Sequence, residues 1–348
     1  MDDLFDDTRL DDPKALTEAD PAMRWLAEAG ARVRIEVETA AAAVAALDPE
    51  VSPRAVVAAG ADARLLRAVL EPWCPVPFVA WPGPSLPGWA GALDLVLVLA
   101  PGGGDAQTGS AVREAVRRGC NLITACPPHS VLAEHAAGRH SLLLPTQTDD
   151  PLAVAVVMLQ ALSRIGVGPE VDEARVAQVL DDVAIECSPL SDIAVNPAKD
   201  LALALAEVTP LVWGGSVLAA RAARRVAEAM RRSSGRPALA ADADHLLPVL
   251  EAARARDLFA DPVEDGDQST ARRPGLVVLD DGTQEPSIRE LRGHLTAIAT
   301  ARDIRVHTIE STEGAEMARY AALLSTGLYA SVYLGLGLSR PAAGRGPR

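Results

Sequence analysis

The chain has 348 residues, enough for about two domains of ordinary size, and 33 cationic against 47 acidic side chains leave a net charge of −14. That balance excludes a general nucleic-acid binder, which needs a positive face to neutralise phosphates. Hydrophobic residues make up 49%, yet no apolar run reaches the roughly 18 residues of a membrane helix. The start Met1-Asp2-Asp3-Leu4-Phe5-Asp6-Asp7 is acidic where a secretory signal is basic and then apolar. A cytoplasmic protein with neither nucleic acid nor membrane as partner is expected.

Residues 1–50 carry helical patterns, with Ala40 to Ala46 too uniform to show a face. A regular alternation then begins. Val56-Val57-Ala58-Ala59 reads as a short strand and 62–71 as a helix. The runs 77–81 and 93–99 are continuously apolar, which predicts strands of a parallel sheet buried on both faces. After a Gly-rich turn the pattern predicts a helix near 109–118, a strand at 121–125, a helix at 130–137, a strand at 141–144 and a long apolar helix at 151–164. Helices near 170–184 and 197–207 connect to a second series. There 211–213 is a strand, Ser216 caps a helix to about 232, and a short strand lies at 237–240. An acidic helical region runs to about 260 and a polar loop fills 265–275. Strand 276–279, helix 286–301, strand 304–309 and a long helix 313–337 complete the series. This predicts an α/β protein of two tandem domains, each a mostly parallel sheet flanked by helices. The expected boundaries are an N-terminal helical segment 1–50, a first domain 51–168, linker helices with a second domain 169–338, and a disordered tail 339–348.

Cys120, Cys126, His129 and His135 have neither C-x-x-C nor H-x-x-x-H spacing, so ordinary packing is expected and no metal site. In a reducing compartment Cys74, Cys120, Cys126 and Cys187 are expected as thiols. His140, His294 and His307, before a strand, on a helix and within a strand, read as structural.

Four stretches carry a resemblance. They are Asn196-Pro197-Ala198-Lys199-Asp200-Leu201-Ala202 leading into Thr209-Pro210-Leu211-Val212-Trp213-Gly214, the strand at 93–99 with its Gly-rich turn, Arg118-Gly119-Cys120-Asn121-Leu122-Ile123-Thr124, and the helix from Leu324 to Leu334. In order and content, over about residues 50–338, they resemble the bacterial and archaeal bifunctional phosphoglucose/phosphomannose isomerases, built from two SIS (sugar isomerase) domains. The resemblance implies two SIS domains, a sugar or sugar-phosphate ligand, no cofactor, and a homodimer. A helix at 313–338 that is apolar on so many faces points the same way.

The site motifs depart from that family. Where its phosphate loop has the form S-Y-S-G-N-T-E-E, this chain has Ala100-Pro101-Gly102-Gly103-Gly104-Asp105-Ala106-Gln107. Both serines and the threonine are absent, and Asp105 brings a carboxylate where a dianion should sit. Like charges 4 Å apart repel by about 4 kcal/mol at an effective dielectric near 20. Asp105 is equally an N-cap for a helix beginning near Thr108, which would occupy the same amides. The first glycine turn of the family is matched only by Ala59-Gly60-Ala61-Asp62-Ala63. The Pro-Arg pair before the helix at 151 has become Asp149-Asp150-Pro151, which removes an expected cation. In the second half, His245 matches the family histidine, with Asp242 or Asp244 where its glutamate stands; together they could supply the acid and base of an aldose–ketose isomerisation. A surface or capping histidine is the competing reading. Gly214, Gly215 and Ser216 form a strand-to-helix turn that either lines a ligand pocket or serves only as turn and cap. With Gly102, Gly103, Gly104, Asp105 and Thr108 they are the expected ligand-binding residues.

Three functions fit. One is an SIS protein that has lost isomerase chemistry and serves as a ligand-binding or assembly partner. Another is a working glucose-6-phosphate or mannose-6-phosphate isomerase with a rearranged site. In the third, the pocket takes a neutral or cationic ligand.

Overall fold

A computed structural model describes residues 4–253 and 272–340. The acidic region beyond 253, the loop before 272 and most of the tail expected at 339–348 lie outside the described residues.

The elements in chain order are a 3-10 turn Asp7–Leu10, α1 (Pro13–Ala27), α2 (Ala29–Ala45), β1 (Val56–Ala59), α3 (Ala63–Leu70), β2 (Phe78–Trp81), β3 (Leu95–Leu99), α4 (Ala106–Arg118), β4 (Asn121–Cys126), α5 (Val131–Ala136), β5 (Ser141–Pro145) and α6 (Pro151–Arg164). They continue as α7 (Glu173–Glu186), α8 (Pro197–Ala204), β6 (Thr209–Gly214), α9 (Val217–Ser234), β7 (Leu239–Ala240), α10 (Ala243–Glu251), β8 (Pro274–Asp280), α11 (Pro286–Ala301), β9 (Val306–Glu310) and α12 (Glu316–Gly337).

The chain divides into two compact units, Ala29–Gln178 and Met1–Glu28 with Val179–Arg348. The helical stretch read as 1–50 is thus shared out. Its first helix goes with the C-terminal unit and its second with the other.

The Ala29–Gln178 unit is built on a parallel sheet of order β2-β1-β3-β4-β5. β1 and β3 lie in its interior, and every residue of both is buried, as their uninterrupted apolar runs predict. β2 corrects the reading of 77–81 as buried on both faces. It is the edge strand, Phe78 to Ala80 are half-buried and Trp81 is exposed. An apolar run alone cannot distinguish an edge from a centre, because an edge strand still packs one face. α6, apolar nearly all round, is buried from Ala153 to Leu159 and packs on α2.

The other unit has a parallel sheet of order β7-β6-β8-β9. α12 runs through its middle. Only three of its residues, Glu316, Arg319 and Val332, escape burial, because α9, α8, α1 and the N-terminal 3-10 turn pack around it. The all-round apolar face of this helix is therefore covered by its own chain and requires no second copy. The expected homodimer loses that support.

Candidate functional site

In an open α/β sheet ligands bind outside the carboxyl ends of the strands, where the strand order reverses. For the orders above, that point falls between β1 and β3 in one unit and between β6 and β8 in the other.

At the first point two glycine turns meet around one side chain. Gly60, just after β1, has φ +93°, and a Cβ there would come within 3.0 Å of Thr108 Oγ1. Gly104, in the turn after β3, has φ +76°, and its Cβ would meet Leu132 at 3.1 Å and Thr108 at 3.3 Å. Glycine suits both positions, since a side chain there would strain the left-handed backbone and press on a neighbouring side chain. Gly103 is also left-handed, whereas Gly102 has ordinary backbone and open space around it. Thr108 itself is buried.

Asp105 is the N-cap of α4, and its Oδ1 accepts the Thr108 amide at 2.7 Å. Hydrogen bonds from that backbone amide and from the Thr108 hydroxyl lower its pKa, so the exposed carboxyl is charged at neutral pH. The capping role expected for Asp105 is the one observed. Negative charge thus already occupies the N-terminus where a helix would offer its amides to an anion.

Asp62 is at the N-cap position of α3, and its side chain makes no capping hydrogen bond there. Asp150 is buried. Its Oδ1 accepts the Leu152 amide at 2.9 Å to cap α6, and its Oδ2 accepts Arg32 Nε at 2.8 Å. One turn along α2, buried Glu36 accepts the amides of Gln147, at 3.0 Å, and of Thr148. From α2, Arg32 thus pairs with Asp150 and Glu36 satisfies the amides of the turn between β5 and α6.

At the second point Gly214 brings β6 tightly onto α9, and Gly215 lies close against α11. A Cβ on Gly214 would lie 2.2 Å from the Ala219 carbonyl carbon, and one on Gly215 would lie 2.2 Å from Ile288. Ser216 caps α9, accepting the Ala219 amide at 3.0 Å, and its hydroxyl donates to Asp281 Oδ2. Asp281 begins the turn after β8. It is buried, its other oxygen accepts the Thr283 amide at 3.3 Å, and its carbonyl accepts Arg319 Nη1 at 2.6 Å. Next to it, Asp280 pairs with Arg292. Sequence reading missed Asp281. The signal was present, since Asp280-Asp281-Gly282-Thr283 closes an apolar strand as Gly214-Gly215-Ser216 does.

His245 lies on α10, exposed, next to exposed Asp244 and three residues after exposed Asp242. Asp242 Oδ1 accepts Arg224 Nη2 at 3.5 Å. Among the described residues, no hydrogen bond or ion pair joins the His245 side chain to Asp242, Asp244, Ser216 or Asp281. His307, in β9, is half-buried with Nδ1 3.7 Å from Asp200, and burial lowers its pKa. Among the described residues, no group of three or more His, Cys, Asp or Glu is placed to hold a metal ion, and no helix is long and apolar enough to cross a membrane.

These two parallel sheets with glycine-lined switch points are the architecture of an SIS-fold protein. Residues 194–339 match the family of the bacterial phospho-glucose isomerase C-terminal SIS domain, and the chain has an SIS-like fold. No curated protein matches the sequence. Among solved structures it is similar to tagatose-6-phosphate ketose/aldose isomerase from Escherichia coli, with TM-score 0.63, 14% identity, and 94% of this chain and 96% of that one covered. A glucose-6-phosphate isomerase like protein from Thermus thermophilus gives 0.53 at 18% identity, covering 94% and 92%. The C-terminal domain of glucosamine-fructose-6-phosphate aminotransferase from Francisella tularensis gives 0.62 at 11%, covering 91% and 96%. At these identities the likeness concerns the fold.

Proposed function

We propose that this protein binds a sugar or sugar derivative on an SIS scaffold and has given up phosphate-dependent isomerase chemistry. It then works as a ligand-binding or assembly partner and not as a catalyst. The observation that carries this reading is the Asp105 carboxylate seated on the N-terminal amides of α4. A phosphate entering there would have to displace that cap and face a like charge. The second switch point supports the same reading, because the Ser216 hydroxyl is spent on Asp281. The sugar-phosphate enzymes among its structural neighbours support a sugar-like ligand.

A second reading, a working hexose-phosphate isomerase, is favoured by the glycine turns at Gly60 and Gly104, which keep the close backbone approach of a ligand cradle. In that reading His245, with Asp242 or Asp244, supplies the acid and base.

Calorimetry with fructose 6-phosphate and mannose 6-phosphate, run beside a coupled isomerase assay, separates the two. The first reading expects no turnover and affinity no better than millimolar, about −4 kcal/mol. Low-micromolar binding with turnover establishes the second. Sedimentation tests whether the chain forms the homodimer that the family resemblance implies.

A further inference from the structure

The two sheets share one plan up to the fourth strand and then part. Orders β2-β1-β3-β4-β5 and β7-β6-β8-β9 correspond strand for strand, but after β4 the chain adds α5 and β5 before α6, whereas after β9 it passes straight to α12. In the Ala29–Gln178 unit β5 pairs with β4 and α5 packs on α4. The corresponding flank of β9 and α11 is an open groove of about 890 Å³, lined in part by Arg289, Gly293, Thr296, Ala297, Thr308 and Glu310.

Hydrogen bonding fixes which backbone groups of β9 look outward. Leu276 donates its amide to the Arg305 carbonyl at 3.0 Å, and Ser311 donates its own to the Asp280 carbonyl at 2.9 Å. A parallel ladder uses alternate residues of each strand, so positions 305, 307, 309 and 311 bond to β8, and the N–H and C=O of Val306, Thr308 and Glu310 point away from it. Among the described residues no hydrogen bond reaches these outward groups, and Thr308 and Glu310 are exposed. Proteins ordinarily blunt such an edge with proline, lysine, a bulge or shortness. β2 runs between Pro77 and Pro82, β5 ends on Pro145, and β7 is two residues long. β9 has neither proline nor lysine, and its five-residue register with β8 is unbroken.

We infer that this edge is closed by the same edge of a second copy, β9 running antiparallel to β9 about a two-fold axis at Thr308, so that two four-stranded sheets become one. The backbone admits any strand, and the side chains select this one. The axis sets Thr308 opposite Thr308, a favourable cross-strand pair, and Glu310 opposite Val306 of the second copy, so no like charges face each other. A parallel pairing would bring the two Glu310 side chains together. On the helical side the two copies of α11 come to flank each other. Gly293, with open space where a Cβ would stand, and exposed Ala297 keep that flank low enough for a close approach. The surface is separate from α12, which its own chain covers, and the inference does not depend on what the switch points bind.

The test uses the full chain. Sedimentation velocity should show a dimer at micromolar concentration. Thr308→Lys places two cations on the axis and should raise the dissociation constant at least about tenfold. Thr308→Pro removes an outward N–H and no bond to β8, and should do the same while circular dichroism stays that of the parent. Thr308→Cys gives a separate readout, because hydrogen-bonded antiparallel residues stand about 5.5 Å apart at Cα, within reach of a disulfide. It should cross-link the chain under mild oxidation, whereas the parent and Ser52→Cys, exposed elsewhere, should not. Three results overturn the inference. They are a chain that stays monomeric up to about 100 μM, which would mean that a segment of its own or another protein covers the edge, a dimer that Thr308→Lys and Thr308→Pro leave intact, or cross-linking of Thr308→Cys no faster than that of Ser52→Cys.

Discussion

Arg32 Nε lies 2.8 Å from Asp150 Oδ2, and both side chains are withdrawn from solvent, so a helix near the start of the chain neutralises the cap of α6 118 residues later. Breaking such a pair strands one charge inside the protein. Asp150→Ala should therefore destabilise the Ala29–Gln178 unit by about 3–5 kcal/mol, whereas replacing both partners by apolar residues of similar volume should recover most of the loss. Urea unfolding followed by tryptophan fluorescence measures both. Equal losses in the single and double variants would show that the pair contributes through packing alone.

The same pair shows where a sequence stops being legible. The strands announced themselves, since β1 and β3 are buried through every residue and their apolar runs have no other use. α11 falls on 286–301 as its spacing predicts. The inward face of α2, in contrast, includes Arg32, Glu36 and Ala40, spaced four apart, and a hydrophobic pattern cannot reveal a buried face that is partly ionic. Asp150 read only as the loss of an expected cation, because its partner Arg32 is far away in sequence. At the site, the Asp105 cap was readable because its acceptor and donor are three residues apart. The Ser216–Asp281 bond spans 65 residues and depends on β6 lying beside β8, which only the sheet order discloses. α12 misled for a related reason. Its composition shows that it is covered on all sides but not by what.

Gly214 should be the least replaceable glycine of the second switch point. A methyl group there would overlap the Ala219 backbone at 2.2 Å, and backbone atoms cannot swing aside as a side-chain end can. Gly214→Ala should either abolish soluble expression or lower the thermal midpoint by an amount matching more than about 3 kcal/mol. Gly102→Ala, with open space around it, should stay within about 0.5 kcal/mol of the parent. Calorimetric melting of the two variants decides it, and comparable stabilities would remove the close approach of β6 to α9 from the account of this turn.

His245→Ala separates the two functional readings. The side chain is exposed, so its removal should change stability by less than about 0.5 kcal/mol. In a protein that only binds, ligand affinity should also be unchanged. If isomerase turnover is measured and falls at least about a hundredfold in this variant, His245 is an acid–base group and the binding-only reading is wrong.

The Asp105 cap makes a contribution that depends on pH. Its pKa is lowered in the folded protein, so its stabilisation is complete above the unfolded value near 3.9 and disappears as pH falls through the lower folded one. Asp105→Ala should cost about 1 kcal/mol at pH 7, the usual worth of an N-cap. The gap between parent and variant should close as acid protonates the carboxyl. Denaturant titrations across that range follow the gap directly, and one that widens toward low pH would contradict the charged cap.

Gly102→Ser combined with Asp105→Thr should rebuild an anion site at α4. Gly102 has ordinary backbone and nothing within 4 Å of a new Cβ, so serine fits there, unlike at Gly103 or Gly104 with their left-handed backbone. Threonine at 105 still caps the helix, while the carboxylate at the α4 N-terminus is gone. Affinity for fructose 6-phosphate should rise at least tenfold, about 1.4 kcal/mol. The gain should shrink in high salt, because part of it is relief of charge repulsion. Gly102→Ser alone adds a hydroxyl but keeps the charge, so it should yield a smaller improvement, and calorimetry on the parent and the two variants ranks the contributions. If the double variant binds no better than the parent, Asp105 is not what keeps phosphate out, and the explanation must lie with the buried Thr108 or the crowded turns at Gly60 and Gly104.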